Sequence, residues 1–149
     1  QEAAHTTAIL ATHQYGHLLS GLSGIPTITS LEEFKGQAIL LPLNIVVNSD
    51  LEASWDVTSD TIACYVARLA GEKEFIKFTD VDGILIGGRL VETISAGKLL
   101  NTTTCLDKSL PTYLQTWNMN CRVTNGKTES NIRRALEGEP LGTLITGGK

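Results

Sequence analysis

Three short polar clusters hold the residues that could do chemistry. The first is Asp56, Thr58, Ser59 and Asp60, just ahead of a run with helical periodicity. The second is Thr79, Asp80, Asp82 and Gly83, directly after a short β-type run. The third is Asn125, Gly126 and Lys127, between another β-type run and a helical one. Carboxylates in such positions can hold Mg²⁺ or orient a cationic side chain. Glycine and hydroxyl residues opening a helix can receive phosphate on the free backbone N–H groups. A structural reading stands beside each. The Asp56–Asp60 group are good helix caps, Asp-x-Asp-Gly is turn chemistry, and Lys127 suits a solvated surface.

Other chemistries find less support. There is no GxxxxGKS/T loop and no GxGxxG, so neither a P-loop nor a Rossmann dinucleotide site is indicated. His13 and His17 share one helix face, a spacing that can bind metal. No Glu follows His13 as in HExxH and no third ligand is near, so a polar or interface face is the other reading. The cysteines are Cys64, Cys105 and Cys121. They lack paired spacing and none is close to a histidine in sequence, so packing is expected rather than disulfides, zinc or nucleophilic catalysis. A reducing cytoplasm is the compartment this suggests. Asn101-Thr102-Thr103 matches a glycosylation acceptor, which matters only under secretion.

The elements that must position these clusters follow from periodicity. Residues 2 to about 20 read as a helix stopped by Gly21. Ser30 and Glu33 form a capping box on a short helix ended by Gly36. Ala38–Leu41 is an apolar run typical of a buried strand, and Leu43–Val47 reads as a further extended segment. Thr61–Ala70 is an amphipathic helix ended by Gly71. Phe75–Phe78 is a strand, Gly87-Gly88 a turn, and Leu90–Ile94 a small strand. A helix over Leu110–Trp117 has Ser109 as its cap and Pro111 in its first turn. Cys121–Thr124 is a strand, Glu129–Leu136 a helix ended by Gly138, and Gly142–Thr146 a last strand. Alternation of this kind predicts an α/β domain with a mainly parallel sheet. Ligands in such sheets bind at the C-terminal ends of the strands, where all three clusters fall.

The whole chain has 149 residues with 42% hydrophobic and 19% charged, which suits one globular domain. A net charge of −4 argues against a general nucleic-acid binder. No apolar run reaches the roughly 20 residues that span a bilayer. The chain opens with Gln1 and its only methionine is Met119, so a processed or partial chain is expected.

The three clusters in this order resemble the amino-acid kinase family, which includes carbamate, acetylglutamate, aspartate, uridylate and isopentenyl phosphate kinases. Trp55-Asp56-Val57-Thr58-Ser59-Asp60 resembles the segment whose last Asp organises catalytic lysines. Phe78-Thr79-Asp80-Val81-Asp82-Gly83 resembles the nucleotide-binding TDVDG turn. Val123-Thr124-Asn125-Gly126 and Ala135–Ile145 resemble the C-terminal end with its nucleotide-side NG and GT loops. The segments Ser54–Asp60, Gly97–Asn101 and Met119-Asn120 look closest to an archaeal branch that includes the kinase of methanofuran biosynthesis.

The resemblance implies a three-layer α/β/α sandwich and phosphoryl transfer from ATP with Mg²⁺ to a small-molecule acceptor. It implies that Asp60 orients lysines and Mg²⁺, and that Lys108 is the nearest match to a catalytic lysine found elsewhere in a GGMxxK segment. It places Thr79, Asp80, Asp82, Gly83, Asn125, Gly126 and Lys127 around the nucleotide. Two departures stand out. The N-terminal strand with its Lys-x-Gly-Gly loop and a second glycine loop are not found, and Cys105–Pro111 replaces the GGMxxK segment. The chain is therefore expected to bind nucleotide but to transfer phosphate poorly by itself. The missing segment would be cut away or supplied by a second polypeptide, and pairing into homo-oligomers is common in related kinases. The alternative is a non-catalytic nucleotide- or oxoanion-binding or storage protein on the same fold, and a third reading is a structural partner subunit pairing through the first helix. No nucleic-acid or membrane partner is expected.

Overall fold

The helical periodicity at the start of the chain is realised as α1 (Glu2–Ser23). The computed structural model describes residues 2–148, so Gln1 and Lys149 lie outside it. The expected stop at Gly21 comes three residues later. Nothing at Gly21 forces the chain out of the helix, and the left-handed turn falls at Gly24, whose φ is 74°.

The chain divides into two compact units, Gln1–Trp55 and Asp56–Lys149. In the first, α1 packs on a two-stranded parallel sheet of β1 (Thr27–Ile28) and β2 (Ile39–Leu40). The capping box is present, on a 3-10 turn at Leu31–Glu33. There the Glu33 carboxylate accepts from the backbone of Thr29 and Ser30 at 2.9 and 2.8 Å. The extended segment expected over Leu43–Val47 is instead a short helix, α2 (Leu43–Val47). Its apolar run carries no period to distinguish strand from helix. Pro42 starts the turn by accepting from Ile45 and Val46. The Leu43 N–H, which a helix start leaves free, donates to His13 Nε2 at 3.1 Å. A tertiary partner thus decides the conformation.

The second unit is built on a four-stranded sheet. Its helices and strands run α3 (Ser59–Leu69), β3 (Glu74–Thr79), β4 (Leu85–Ile86), β5 (Arg89–Leu90), β6 (Thr93–Ser95), α4 (Leu110–Trp117), β7 (Asn120–Asn125), α5 (Glu129–Leu136) and β8 (Thr143–Thr146). The sheet order is β3-β7-β8-β6. The β3–β7 and β6–β8 pairs are parallel and β7–β8 is antiparallel. The result is the mixed α/β architecture with parallel strands expected of the chain. The single strand expected over Leu90–Ile94 is split in two. Arg89 and Leu90 turn back on β4 as an antiparallel hairpin across Gly87-Gly88. Only Thr93–Ser95 joins the main sheet, because Ile94 is buried there while Leu90 is not.

The core lies around β7. Cys121, Val123 and Ile145 are fully buried against Leu110, Leu114 and Met119. Cys64 is buried in the same cluster and Cys105 packs at its edge, which matches the packing expected of the cysteines.

Candidate functional site

Helix α3 begins without help from its own cap residue, since the Thr58 side chain makes no cap bond. Asp107 takes that role from a distant loop. One of its carboxylate oxygens accepts from Thr58 N at 3.0 Å, Thr58 Oγ1 at 3.2 Å and Thr61 N at 2.8 Å. The other accepts from Thr61 Oγ1 at 2.7 Å and from Leu110 N, the first residue of α4, at 2.8 Å. One carboxylate therefore caps two helices. The expected Ser109 cap of α4 makes no side-chain bond. Asp107 satisfies the helix start instead, three residues earlier.

Asp60 lies in the first turn of α3 and is buried. Both its oxygens accept from Lys77 Nζ at 2.5 Å, and Oδ2 also accepts from Asp107 N at 3.0 Å. Lys108 sits at the surface with its Nζ 2.8 Å from the Asp56 carboxylate. Ser109 N donates to the Asp56 carbonyl at 3.0 Å. The sequence clusters around Asp60 and Lys108 are thus brought together along residues 56–61 and 107–110. Lys77 and Asp107 were not singled out from sequence. A lysine inside a strand, where lysine is depleted, was the available signal for the first. An Asp three residues ahead of a helix was the signal for the second.

The second and third clusters also meet. Strands β3 and β7 are parallel and in register, with Thr79 opposite Asn125. Their C-terminal ends therefore present both clusters side by side. Asn125 Nδ2 donates to Asp82 Oδ1 at 2.8 Å, and Asn125 Oδ1 accepts from Lys127 N at 2.8 Å. Gly126 N donates to Thr79 O at 2.8 Å, and Thr79 Oγ1 to Asp80 at 3.4 Å. Helix α5 starts immediately after, with Thr128 accepting from Asn131 N. Asp80, Asp82 and Lys127 are exposed. Gly83 is buried and takes a φ of 154°. A Cβ there would meet Thr143 Oγ1 at 2.5 Å, so only glycine fits. Lys77, two residues before Thr79 on β3, ties this strand end to the Asp60 cluster.

The thiols do not offer a nucleophile. Burial pushes Cys64 up to about 12, with Asp107 adding to the shift. Burial raises Cys105 and Cys121 as well. All three stay protonated near neutral pH.

The architecture, with parallel strands whose C-terminal ends bring the two polar clusters together, defines an α/β protein. The family model described as the Amino acid kinase family matches residues 24–119, and the chain belongs to that family. The chain is 32% identical over 146 residues to the [5-(aminomethyl)furan-3-yl]methyl phosphate kinase of Methanocaldococcus jannaschii, covering 91% of this chain and 67% of that protein. That relative lies in the branch expected from the sequence. The UMP kinase of Ureaplasma parvum matches in fold with a TM-score of 0.61 at 15% identity, over 93% of this chain and 67% of that one. The UMP kinase of Bacillus anthracis matches with a TM-score of 0.54 at 20% identity, over 61% of this chain. This chain spans 41% of the length of that last structure.

Proposed function

We propose that the chain is the nucleotide-side part of an ATP-dependent small-molecule kinase. The observation that carries this reading is the meeting of Asp82, Asn125 and Lys127 at the ends of two adjacent parallel strands, beside the start of α5. Thr79, Asp80, Asp82, Gly83, Asn125, Gly126 and Lys127 form the nucleotide site. Asp60 and Lys108 belong to the phosphoryl side. The acceptor is a small phosphorylated molecule, by analogy with the Methanocaldococcus jannaschii relative.

In the reaction the acceptor oxygen attacks the γ-phosphorus directly, and the bond to the β-phosphate oxygen breaks to release ADP. Protonated thiols fit a route without a covalent enzyme intermediate. Such transfers depend on positioning and on neutralising the charge spread over the phosphoryl oxygens. Lys108 supplies positive charge. The strand-end turn, shaped by Asn125 through its bonds to Asp82 and Lys127 N, presents exposed Asp80, Asp82 and Lys127 to the nucleotide.

The donor set fits Mg²⁺ carried on the phosphates. Exposed Asp80 and Asp82 offer hard oxygens, and among the described residues no group of three or more His, Cys, Asp or Glu could hold a metal alone. Mg²⁺ characteristically binds through one or two carboxylates plus phosphates. It supplies charge neutralisation at the transferred group. Pairing of two copies through α1 completes the reading, because Tyr15, Leu18 and Leu22 on one helix face are 71%, 55% and 78% exposed.

Titration calorimetry with Mg-ATP tests the proposal. The expected outcome is saturable binding that weakens at least tenfold, about 1.4 kcal/mol, in Asp82→Ala. Absence of saturable binding to the unsubstituted chain would overturn it.

A further inference from the structure

Lys77 has no part in the clusters read from the sequence, yet it occupies a costly position. It stands inside β3 between Ile76 and Phe78, in register with Val123. Its side chain is 17% exposed and that of Asp60 is 9% exposed. A charge so withdrawn from water persists only with a partner and further hydrogen bonds. Here both Asp60 oxygens receive the ammonium at 2.5 Å. Asp60 then has one further bond, to the N–H of Asp107 at 3.0 Å.

That bond gives the pair a reach beyond itself. Asp107 is the residue before Lys108, and its carboxylate and that of Asp60 both serve the first turn of α3, one from the loop ahead of α4 and one from α3 itself. With Lys77 in place, Asp60 is neutralised and can hold the Asp107 N–H. Without it, a lone buried carboxylate would face the Asp107 carboxylate across that turn. Like charges at such range repel strongly in a partly dry setting. The 107–110 segment would be pushed off the helix, and Lys108 with it.

We propose that Lys77 is a positioning residue: through Asp60 it fixes the Asp107–Leu110 segment and so sets where Lys108 stands. The part of this that concerns ligand rests on the proposed nucleotide site. Lys77 touches no ligand in this scheme and acts only through Asp60 and Asp107.

The test uses Lys77→Met, Lys77→Arg, Lys108→Ala and the double variant Lys77→Met/Lys108→Ala. Amide hydrogen exchange follows the N–H groups of Asp107, Ser109 and Leu110 against those of α5. Calorimetry follows Mg-ATP affinity. In Lys77→Met, exchange over 107–110 is expected to rise at least tenfold while α5 is unchanged, and affinity to fall at least fivefold. Lys77→Arg recovers both. In the double variant, affinity is no lower than in Lys108→Ala alone, because Lys77 works through Lys108. Unchanged exchange over 107–110, acceleration across the whole chain, or fully additive losses of affinity would each overturn the proposal. If the unsubstituted chain binds no nucleotide, the functional reading fails, and the exchange comparison alone decides what Lys77 holds.

Discussion

Asp107 concentrates more of the second unit's order in one side chain than any of the residues singled out for chemistry. Its carboxylate receives five hydrogen bonds across the starts of two helices. A single cap is worth about 1 kcal/mol, and a buried N–H left unpaired costs about 1–3 kcal/mol. Asp107→Ala is therefore expected to lower unfolding free energy by roughly 2–4 kcal/mol, measured by urea denaturation. Thr128→Ala, which removes the cap of α5 alone, should cost about 1 kcal/mol. Equal losses in the two variants would contradict the shared cap. His13 gives a second residue-scale expectation. Burial, and then the neighbouring His17, lower its pKa from the ordinary 6.5. Its Nε2 must be unprotonated to accept the Leu43 N–H. A His held below its unfolded value contributes stability that is complete above pH 6.5 and is lost as pH falls below it. The urea midpoint should drop between pH 7.5 and pH 5.5, and His13→Gln, whose amide oxygen accepts without titrating, should flatten part of that drop. An identical drop in the variant would refute the assignment.

Elements differ in how far they can be read from local residues. Helix α5 matches its expected bounds because Thr128, the amphipathic run and Gly138 are all adjacent. Strands β3 and β7 were legible for a similar reason, as short β-type runs ending in turn residues. Helix α2 was not, since its start depends on His13 in another element. The β4–β5 hairpin was not either. Its anchor is Thr143, whose hydroxyl accepts from Ile84 N at 2.8 Å and donates to Val91 O at 2.5 Å. Thr143 is fully buried and lies far along the chain from both. For the site, the residue types at the strand ends were visible in sequence, but their pairing across β3 and β7 needed the register. Lys77 and the reach of Asp107 to α3 were hidden because those partners are distant. Thr143→Val keeps the shape and removes the hydroxyl. It should cost about 1–3 kcal/mol and speed hydrogen exchange at Ile84, while Thr143→Ser should retain most of both. Unaltered exchange at Ile84 in Thr143→Val would show that the hydroxyl does not anchor the hairpin.

For the molecule as a whole, the exposed face of α1 is the feature with the largest expected effect. Tyr15, Leu18 and Leu22 are exposed together on one face of α1, and grouped exposed apolar residues are what an interaction surface presents. If two copies pair there, light scattering should give a mass that rises with concentration. Leu18→Glu with Leu22→Glu should hold the chain at the mass of one copy. A single-copy mass at all concentrations in the unsubstituted chain would remove pairing from the functional reading. The shared carboxylate also bears on the order of events as the chain folds. Helix α5 carries its own start signal, so it can nucleate from adjacent residues. Helix α3 cannot complete the cap of its first turn until a residue 46 to 49 positions downstream arrives, whereas α4 has that residue only three positions ahead of its start. Closing so long a loop comes at an entropic cost before any contact rewards it. Helix α4 should therefore be able to start from adjacent residues, and the start of α3 should consolidate in a later step, around a side chain that belongs to neither helix.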